Sequence, residues 1–512
     1  MADLRAVNAG LREVIARQET VIAAQEARLA MQAEQLVTQA QLLDGQVQLI
    51  DGQAAQLNTQ AQLIDVLQAQ VAELQRRLGM DSSNSSTPPS KDGPGGQKRQ
   101  RRGASGRAPG GQKGHPGSGL QRVATADRVE VVEPGGCCGC GGDLAGAAGE
   151  VAATAQMFDI PPVELVVTEY RMMRRACAGC GASTTAPAPA GVFGPACYGP
   201  NVTAAATLLA AEGHTSVSRA AAMMAALLGA PVSTGFVSRC LARLGQSLHE
   251  FEAALVDRLR TADVLGTDET PVNVAEPGNH HIFTVRTDAL VWYGAADNRG
   301  HAALDMFAIL PGYRGILVRD DYGGYHKYDA ALAGVQLCCA HLLRDLQGVI
   351  DIDPVTQAWA GQVQQALRDA ATLVEAATQT GTPVDTAKLA ELRWRYDQGV
   401  LVGISVNLSR RWHNGKNHPG LVLARRLQKK AAQVWLFTTD PRVPWTNNTS
   451  EQALRMVKLQ QKISGCWRSL HTTQTFCRIR SYLTTARNHA VRPLDAIRAA
   501  LDGAPWMPTH AT

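Results

Sequence analysis

VLGTDETPVNV, residues 264–274, decides how the middle of the chain is read. Its β-branched and small residues alternate with the two-residue period of a strand, and Asp268 stands inside that strand or at its end. Working outward, HIFTVRT and LVWYGAA read as hairpin strands and RGHAALDMFAILPGY as a helix. GILVRDDYGGYHKY is a strand ending at Asp320 and Asp321, and VQLCCAHLLRDLQGVI a strand running into a helix. An isolated Asp at a strand end is ordinarily a turn or cap residue. Acids at the ends of two strands of one β-β-β-α-β-α run are another matter: that is the layout of a ribonuclease-H-like fold.

Chemistry gives the layout its sense. In-line attack on a phosphodiester is served by two Mg²⁺ ions ~3.5–4 Å apart. Mg²⁺ takes carboxylate oxygens and leaves its other positions to water and phosphate. Two strands supply two carboxylates, and a covering helix must supply the third. VPWTNNTSEQALRMVKLQQKISG, residues 443–465, offers Glu451. The plainer reading of Glu451 is a capping pair, with Asn448 as the cap and Glu451 three residues on. His341 and Arg344 follow Cys338-Cys339 on a helix near the second acid. Arg344 is a candidate phosphate contact; His341 is not needed as a base where a metal activates water.

The stretch between the second and third acids, residues 351–440, is too long for a loop and reads as a helical insertion. Arg410, Arg411, His413, Lys416, Arg425, Arg426, Lys429 and Lys430 make its later half basic, which fits either DNA-end contacts or a solvated helix face. Trp435 and Trp445 fit either base stacking or core packing.

Residues 1–80 carry an aliphatic residue at every seventh position from Ile15 to Leu78, with Gln18, Gln25, Gln32, Gln39, Gln46, Gln53 and Gln60 at the companion position. This is a coiled-coil pattern with a polar companion seam, expected to pair two copies; a lone helix folded on its own protein is the alternative. Residues 81–128 are a flexible linker whose basic run, including Lys98, Arg99, Arg101, Arg102, Arg107 and Lys113, suits a DNA backbone as well as it suits solvent. Residues 129–195 hold two C-x-x-C pairs, Cys137/Cys140 and Cys177/Cys180, each followed by Gly. Two thiolate pairs at that spacing suit a tetrahedral structural Zn²⁺, and the strand-like segment between them makes a zinc-ribbon-like module. Cys138 competes with Cys137 for the first position. Residues 196–262 read as helices; a Gly-Ala-Pro break before Ser233, Thr234, Ser238 and Arg239 fits a helix-turn-helix as well as a plain bundle. The catalytic core is then expected over 263–350 and 441–490, with a C-terminal tail over 491–512.

The chain's 512 residues, 45% hydrophobic and 19% charged, suffice for this multidomain α+β protein, and its net charge of +5 is modest. No apolar run is long enough to span a bilayer and no signal peptide opens the chain, so a cytoplasmic, nucleoid-associated protein without a membrane partner is expected.

Several pieces in one order resemble the insertion-sequence-66 family of bacterial DDE transposases over nearly the whole chain. They are NSSTPPSKD, GGQKGHPG, the paired C-x-x-C, TDETPVNV, VRDDYGGY, CCAHLLRD, PWTNNTSEQALRMVKLQQKISG and FCRIRSYLTTARNHA. The resemblance implies a catalytic triad of Asp268, Asp320 and Glu451 holding Mg²⁺ or Mn²⁺, with Asp321 second choice to Asp320. It implies cleavage at the terminal repeats of the chain's own element and strand transfer into target DNA, with accessory proteins of the element as further partners. Lys98, Arg99, Arg101, Arg102, Arg344 and Arg455 are the DNA-binding candidates. Thr446 and Gln452 depart from the family pattern of Asp and Arg. A nuclease without strand transfer, or a non-catalytic zinc-ribbon regulator, are the competing functions.

Overall fold

The computed structural model describes residues 2–80, 84, 120–412 and 415–508. Lys98, Arg99, Arg101, Arg102, Arg107, Lys113 and His413 lie outside the described residues.

Ala, Gln, Leu and Glu dominate the N-terminal segment, and these strong helix formers give one unbroken helix, α1 (Ala2–Leu78). Gly45 and Gly52 do not interrupt it. The heptad aliphatics from Ile15 to Leu78 are at least half exposed, so α1 does not fold back to bury its stripe on this chain.

The ribbon-like region departs from its expectation. Residues 151–173 form no strand or helix; Met157, Val166 and Val167 are exposed, so no buried face holds a ladder there. A short hairpin does form, with β1 (Arg174–Ala176) antiparallel to β2 (Ser183–Thr185).

Four helices follow: α2 (Pro200–Ala211), α3 (Val217–Leu228), α4 (Thr234–Ser247) and α5 (His249–Arg260). Gly229 ends α3 at φ 58°, a left-handed stop that favours glycine, and the Ser233 hydroxyl caps α4 by accepting from Phe236 N. Ala206, Ala220, Met224 and Val237 close a small core among α2, α3 and α4. Leu244 and Leu248, with Phe251, Leu255 and Leu259 of α5, instead join Leu265, Phe283, Leu317 and Tyr482 in the main core. The helical region therefore shares its core with the sheet.

That sheet contains β3 (Val264–Pro271), β4 (His281–Arg286), β5 (Val291–Ala296), β6 (Ile316–Arg319) and β7 (Gly334–Leu337), in spatial order β5-β4-β3-β6-β7. β3 runs antiparallel to β4, with Asp268 opposite Thr284, and parallel to β6, with Gly266 opposite Val318. The helix expected over 299–313 is shorter, α6 (His301–Met306), followed by a 3₁₀ turn at Leu310–Gly312. β7 leads into α7 (Cys339–Ile350) as read. The insertion forms α8 (Ala358–Thr380), α9 (Thr386–Asn407), α10 (Pro419–Lys429) and α11 (Ala431–Trp435). It builds a second core with the β6–β7 half of the sheet, joining Val318, Val335 and Leu346 to Val363, Leu367, Tyr396 and Trp435.

α12 (Asn448–Ser464) lies across β3 and β4, packing Leu454 and Val457 on Val272, Ile282 and Tyr293. α13 (Leu470–Asn488) runs beside β5, where the hydroxyls of Ser481 and Thr485 accept the backbone N–H groups of Tyr293 (2.8 Å) and Val291 (3.1 Å). The helix thus satisfies donors that an edge strand would leave open. Residues 491–508 are not a loose tail: α14 (Pro493–Leu501) buries Ala496, Ile497 and Ala500 in the main core, and Trp506 N donates to the Tyr482 hydroxyl at 3.0 Å. Among the described residues no helix is long and apolar enough to cross a membrane.

Candidate active site

Gly266 explains how α12 comes so close to β3. A Cβ there would lie 2.6 Å from Ser450 Oγ and 3.0 Å from Asn447 Oδ1, so only glycine admits the start of the helix. Asp268 is two residues further on the same strand face, towards the first turn of α12, where Glu451 stands. Asp320 follows the last residue of β6, the strand parallel to β3, and its Oδ1 accepts from Tyr322 N at 3.0 Å.

The oxygens of Asp268, Asp320 and Glu451 do not all come within 4.8 Å of one another, but the charges of Asp320 and Glu451 are felt at Asp268. Burial pushes the Asp268 carboxyl well above the usual carboxylate range, and the charges of Glu269, Asp320 and Glu451 push it further. Glu269, on the other strand face, is pushed up to about 7 by burial and by the Asp320 charge; a hydrogen bond from the Tyr325 hydroxyl and the Arg299 charge oppose the shift.

Glu451 is not a capping residue. The cap of α12 is Asn447, whose side chain bonds no helix N–H, and Asn448 is already helical. The Glu451 carboxylate instead meets Arg344 Nη2 at 3.1 Å and His341 Nδ1 at 3.6 Å, both from α7. Burial, then the Arg344 charge, hold His341 below its ordinary value, which outweighs the pull of Glu451.

Asp321 turns elsewhere. It receives hydrogen bonds from Lys430 and from His326 (3.0 Å), with Arg319 and Arg426 within 3.9 Å. Burial pushes its carboxyl up, but the bonds from Lys430 and His326 win and hold it below the usual range. Of the insertion's basic residues, Lys430 and Arg426 are thus committed to core acids, Arg426 also to Asp345. Arg410 pairs with Asp353 and Arg411 bonds Asn417. Arg425 and Lys429 are exposed, as is Arg455 on α12. Trp435 is buried edge-to-face against Tyr396, and the Trp445 indole N–H donates to Glu375 at 3.0 Å; both rings serve packing.

The donor set tests which ion fits. Asp268, Asp320 and Glu451 offer only carboxylate oxygens, which suit a hard divalent cation. Among the described residues, one group brings three potential ligand atoms within 4.8 Å of one another: Cys338, His341 and Glu451. Burial raises the Cys338 thiol to about 11, so it stays protonated near neutrality and is a poor ligand.

The two cysteine knuckles have the same backbone. Cys137 N bonds Gly142 O and Gly141 N bonds Cys137 O; Cys177 N bonds Ala182 O and Gly181 N bonds Cys177 O. Cys137 therefore occupies the place of Cys177, and Cys138 that of Ala178. Backbone N–H groups of Cys140 and Gly139 lower the Cys137 thiol, and those of Gly179 and Cys180 lower Cys177. Each knuckle is formed, but the four sulfurs do not converge into one group within 4.8 Å. On α4, Thr234, Ser238 and Arg239 are exposed.

Two residues beside the acids escaped the sequence reading. Glu269 alternates out of the Asp268 face, and only the end of β6 brings Asp320 near it. Asn447 was legible as half of an Asn pair, but the side chain that is buried and bonded to the strand is the first Asn.

These features define a multidomain α+β protein with a long N-terminal helix, a zinc-finger-like region and a mixed sheet carrying clustered acids. The chain belongs to the Transposase IS66 family, which matches residues 195–475. Residues 134–181 match the zinc-finger binding domain of transposase IS66, and residues 9–121 match a family of unknown function. An uncharacterized protein of Sinorhizobium fredii, y4qI, is 25% identical over 307 residues, 53% of each chain. The chain thus spans about half the length of this curated relative.

Proposed function

We propose that this chain is a DNA transposase that binds the ends of its insertion sequence, cuts DNA there and transfers the freed 3′ end to target DNA. The observation that carries the reading is the placement of three carboxylates: Asp268 on β3, Asp320 directly after the parallel strand β6, and Glu451 in the first turn of α12, which lies across β3. The strand order and the helical insertion fit a ribonuclease-H-like core over 263–350 and 441–490 with an insertion over 351–440.

Asp268, Asp320 and Glu451 would hold Mg²⁺ or Mn²⁺; the bound ions supply an activated water and stabilise the leaving oxygen. The chain's own groups do the rest. Asp268 is on the central strand of the sheet, next to the strand that leads to Asp320. Arg344 is within 3.1 Å of Glu451, where it can take a phosphate oxygen when the carboxylate turns to cation. The hydrogen bond from Tyr322 N orients Asp320. No side-chain nucleophile is required.

DNA is the partner. The zinc-finger-like region, whose Cys137, Cys140, Cys177 and Cys180 would hold a structural Zn²⁺ once the two knuckles close on it, the exposed face of α4, the basic segment with Lys98, Arg99, Arg101 and Arg102, and Arg455 would supply its contacts. The exposed heptad stripe of α1 suits a coiled coil with a second copy, one protomer for each element end. Accessory proteins of the same element complete the set of partners, in a cytoplasmic, nucleoid-associated setting.

The experiment is incubation with the element's own end DNA and Mg²⁺ or Mn²⁺. A nick at the element end is expected from the native chain and from none of Asp268→Asn, Asp320→Asn and Glu451→Gln, all of which keep end binding. Full cleavage by Glu451→Gln would sink the assignment. Pre-cleaved ends then separate strand transfer from plain nuclease action.

A further inference from the structure

Resting on that carboxylate assignment, we propose that Asn447 is a positioning residue that sets where Glu451 stands relative to Asp268. One Asn447 side-chain hydrogen bond joins the segments that carry the two acids, and a backbone bond in the first turn of α12 links Asn447 to Glu451. The Asn447 amide donates from Nδ2 to the carbonyl of Thr267, the residue before Asp268, at 2.7 Å. The Asn447 backbone carbonyl accepts the backbone N–H of Glu451 at 3.2 Å, so the backbone of the residue that reaches Thr267 also starts the turn that carries Glu451. A third bond ties in α7: Asn447 N donates to Cys338 Sγ at 3.1 Å, at the strand-to-helix junction that also carries His341 and Arg344.

The location of this brace matters. The β3–β6 ladder ends at Gly266 opposite Val318, so β3 continues towards Asp268 without β6 beside it, and Asn447 takes up the Thr267 carbonyl there. Asn447 is 3% exposed, and its Oδ1 faces the open side of Gly266. The position needs a donor of this length. Aspartate would set a carboxylate against a carbonyl oxygen, serine falls short of Thr267, and leucine leaves the carbonyl without its donor. Asn448, next in the chain, is exposed. It serves as the internal control.

Mn²⁺ is the probe, bound to the full-length protein and followed by electron paramagnetic resonance, alongside end cleavage at varied Mn²⁺. Asn447→Leu should raise the Mn²⁺ concentration for half-saturation tenfold or more and shift the metal dependence of cleavage in parallel. End-DNA affinity without metal should stay within twofold. Asn447→Ser is the second variant where the leucine form does not fold, and saturating Mn²⁺ should restore much of its cleavage. Glu451→Gln should not be rescued, and Asn448→Ala should match the native chain throughout. The proposal is overturned if folded Asn447 variants bind Mn²⁺ like the native chain while Asp268→Asn and Glu451→Gln do not. If those two also bind Mn²⁺ normally, the carboxylate assignment itself falls and takes the brace with it.

Discussion

The Arg344 guanidinium lies 3.1 Å from Glu451, the contact in which a carboxylate from α12 meets a cation from α7. Arg344 and a bound cation would compete for the same Glu451 carboxylate. Arg344→Ala should therefore tighten Mn²⁺ binding by about two- to fivefold, the scale of a partly exposed ion pair. The same change should slow cleavage through loss of the phosphate contact. Parallel metal titrations of binding and cleavage check this; equal loss of both contradicts it.

Asp268→Asn should stabilise the metal-free protein. Native Asp268 is held against burial and three neighbouring negative charges, so removing its charge relieves repulsion. The thermal midpoint without metal should rise, and the midpoint gain on adding Mg²⁺ should vanish. A native chain whose midpoint ignores Mg²⁺ would count against a metal at these acids.

Adjacent Asp320 and Asp321 should separate cleanly. Asp321→Asn weakens the hydrogen bonds from Lys430 and His326, costing about 1–3 kcal/mol of stability. It should keep Mn²⁺ binding. Asp320→Asn should do the reverse, and urea unfolding beside a Mn²⁺ titration reads both.

In the ribbon, Cys137→Ser should lower bound zinc, measured by mass spectrometry of the native protein. Cys138→Ser should leave it unchanged, because Cys138 matches Ala178 rather than Cys177 in the paired knuckles.

His214 gives a pH signature. Burial, with the Arg480 charge, holds it below its ordinary value despite its bond to Gln460 (2.9 Å). The unfolded chain takes the proton first, near pH ~6.5, so stability falls as pH drops through that value and is unaffected above it. His214→Asn, compatible with φ 52°, should lose that part of the acid sensitivity, so the stability gap from the native chain narrows between pH 7 and 5.

The strands were legible because β3 to β7 carry local periodicity, and Asp268 and Asp320 could be placed from it. Glu451 needed more. Its segment reads equally as a capped helix, and the choice depends on Arg344 and on Asn447 reaching Thr267, 180 residues away. Asp320 and Asp321 are equivalent to any local rule until Lys430 arrives from α10's end. The strand-like alternation of 151–173 misled because alternation makes a ladder only where one face is buried. The supposed tail misled in the opposite sense, since α14 is short but finds a core to cover.

The uninterrupted run of α1 has a metric consequence. At 1.5 Å per residue its 77 residues make a rod roughly 115 Å long. Two such rods paired head to head would bring both catalytic cores to one end, side by side. Paired head to tail, they would hold the cores about a rod's length apart, roughly three turns of B-DNA. Helix polarity would then decide between adjacent and widely separated cuts.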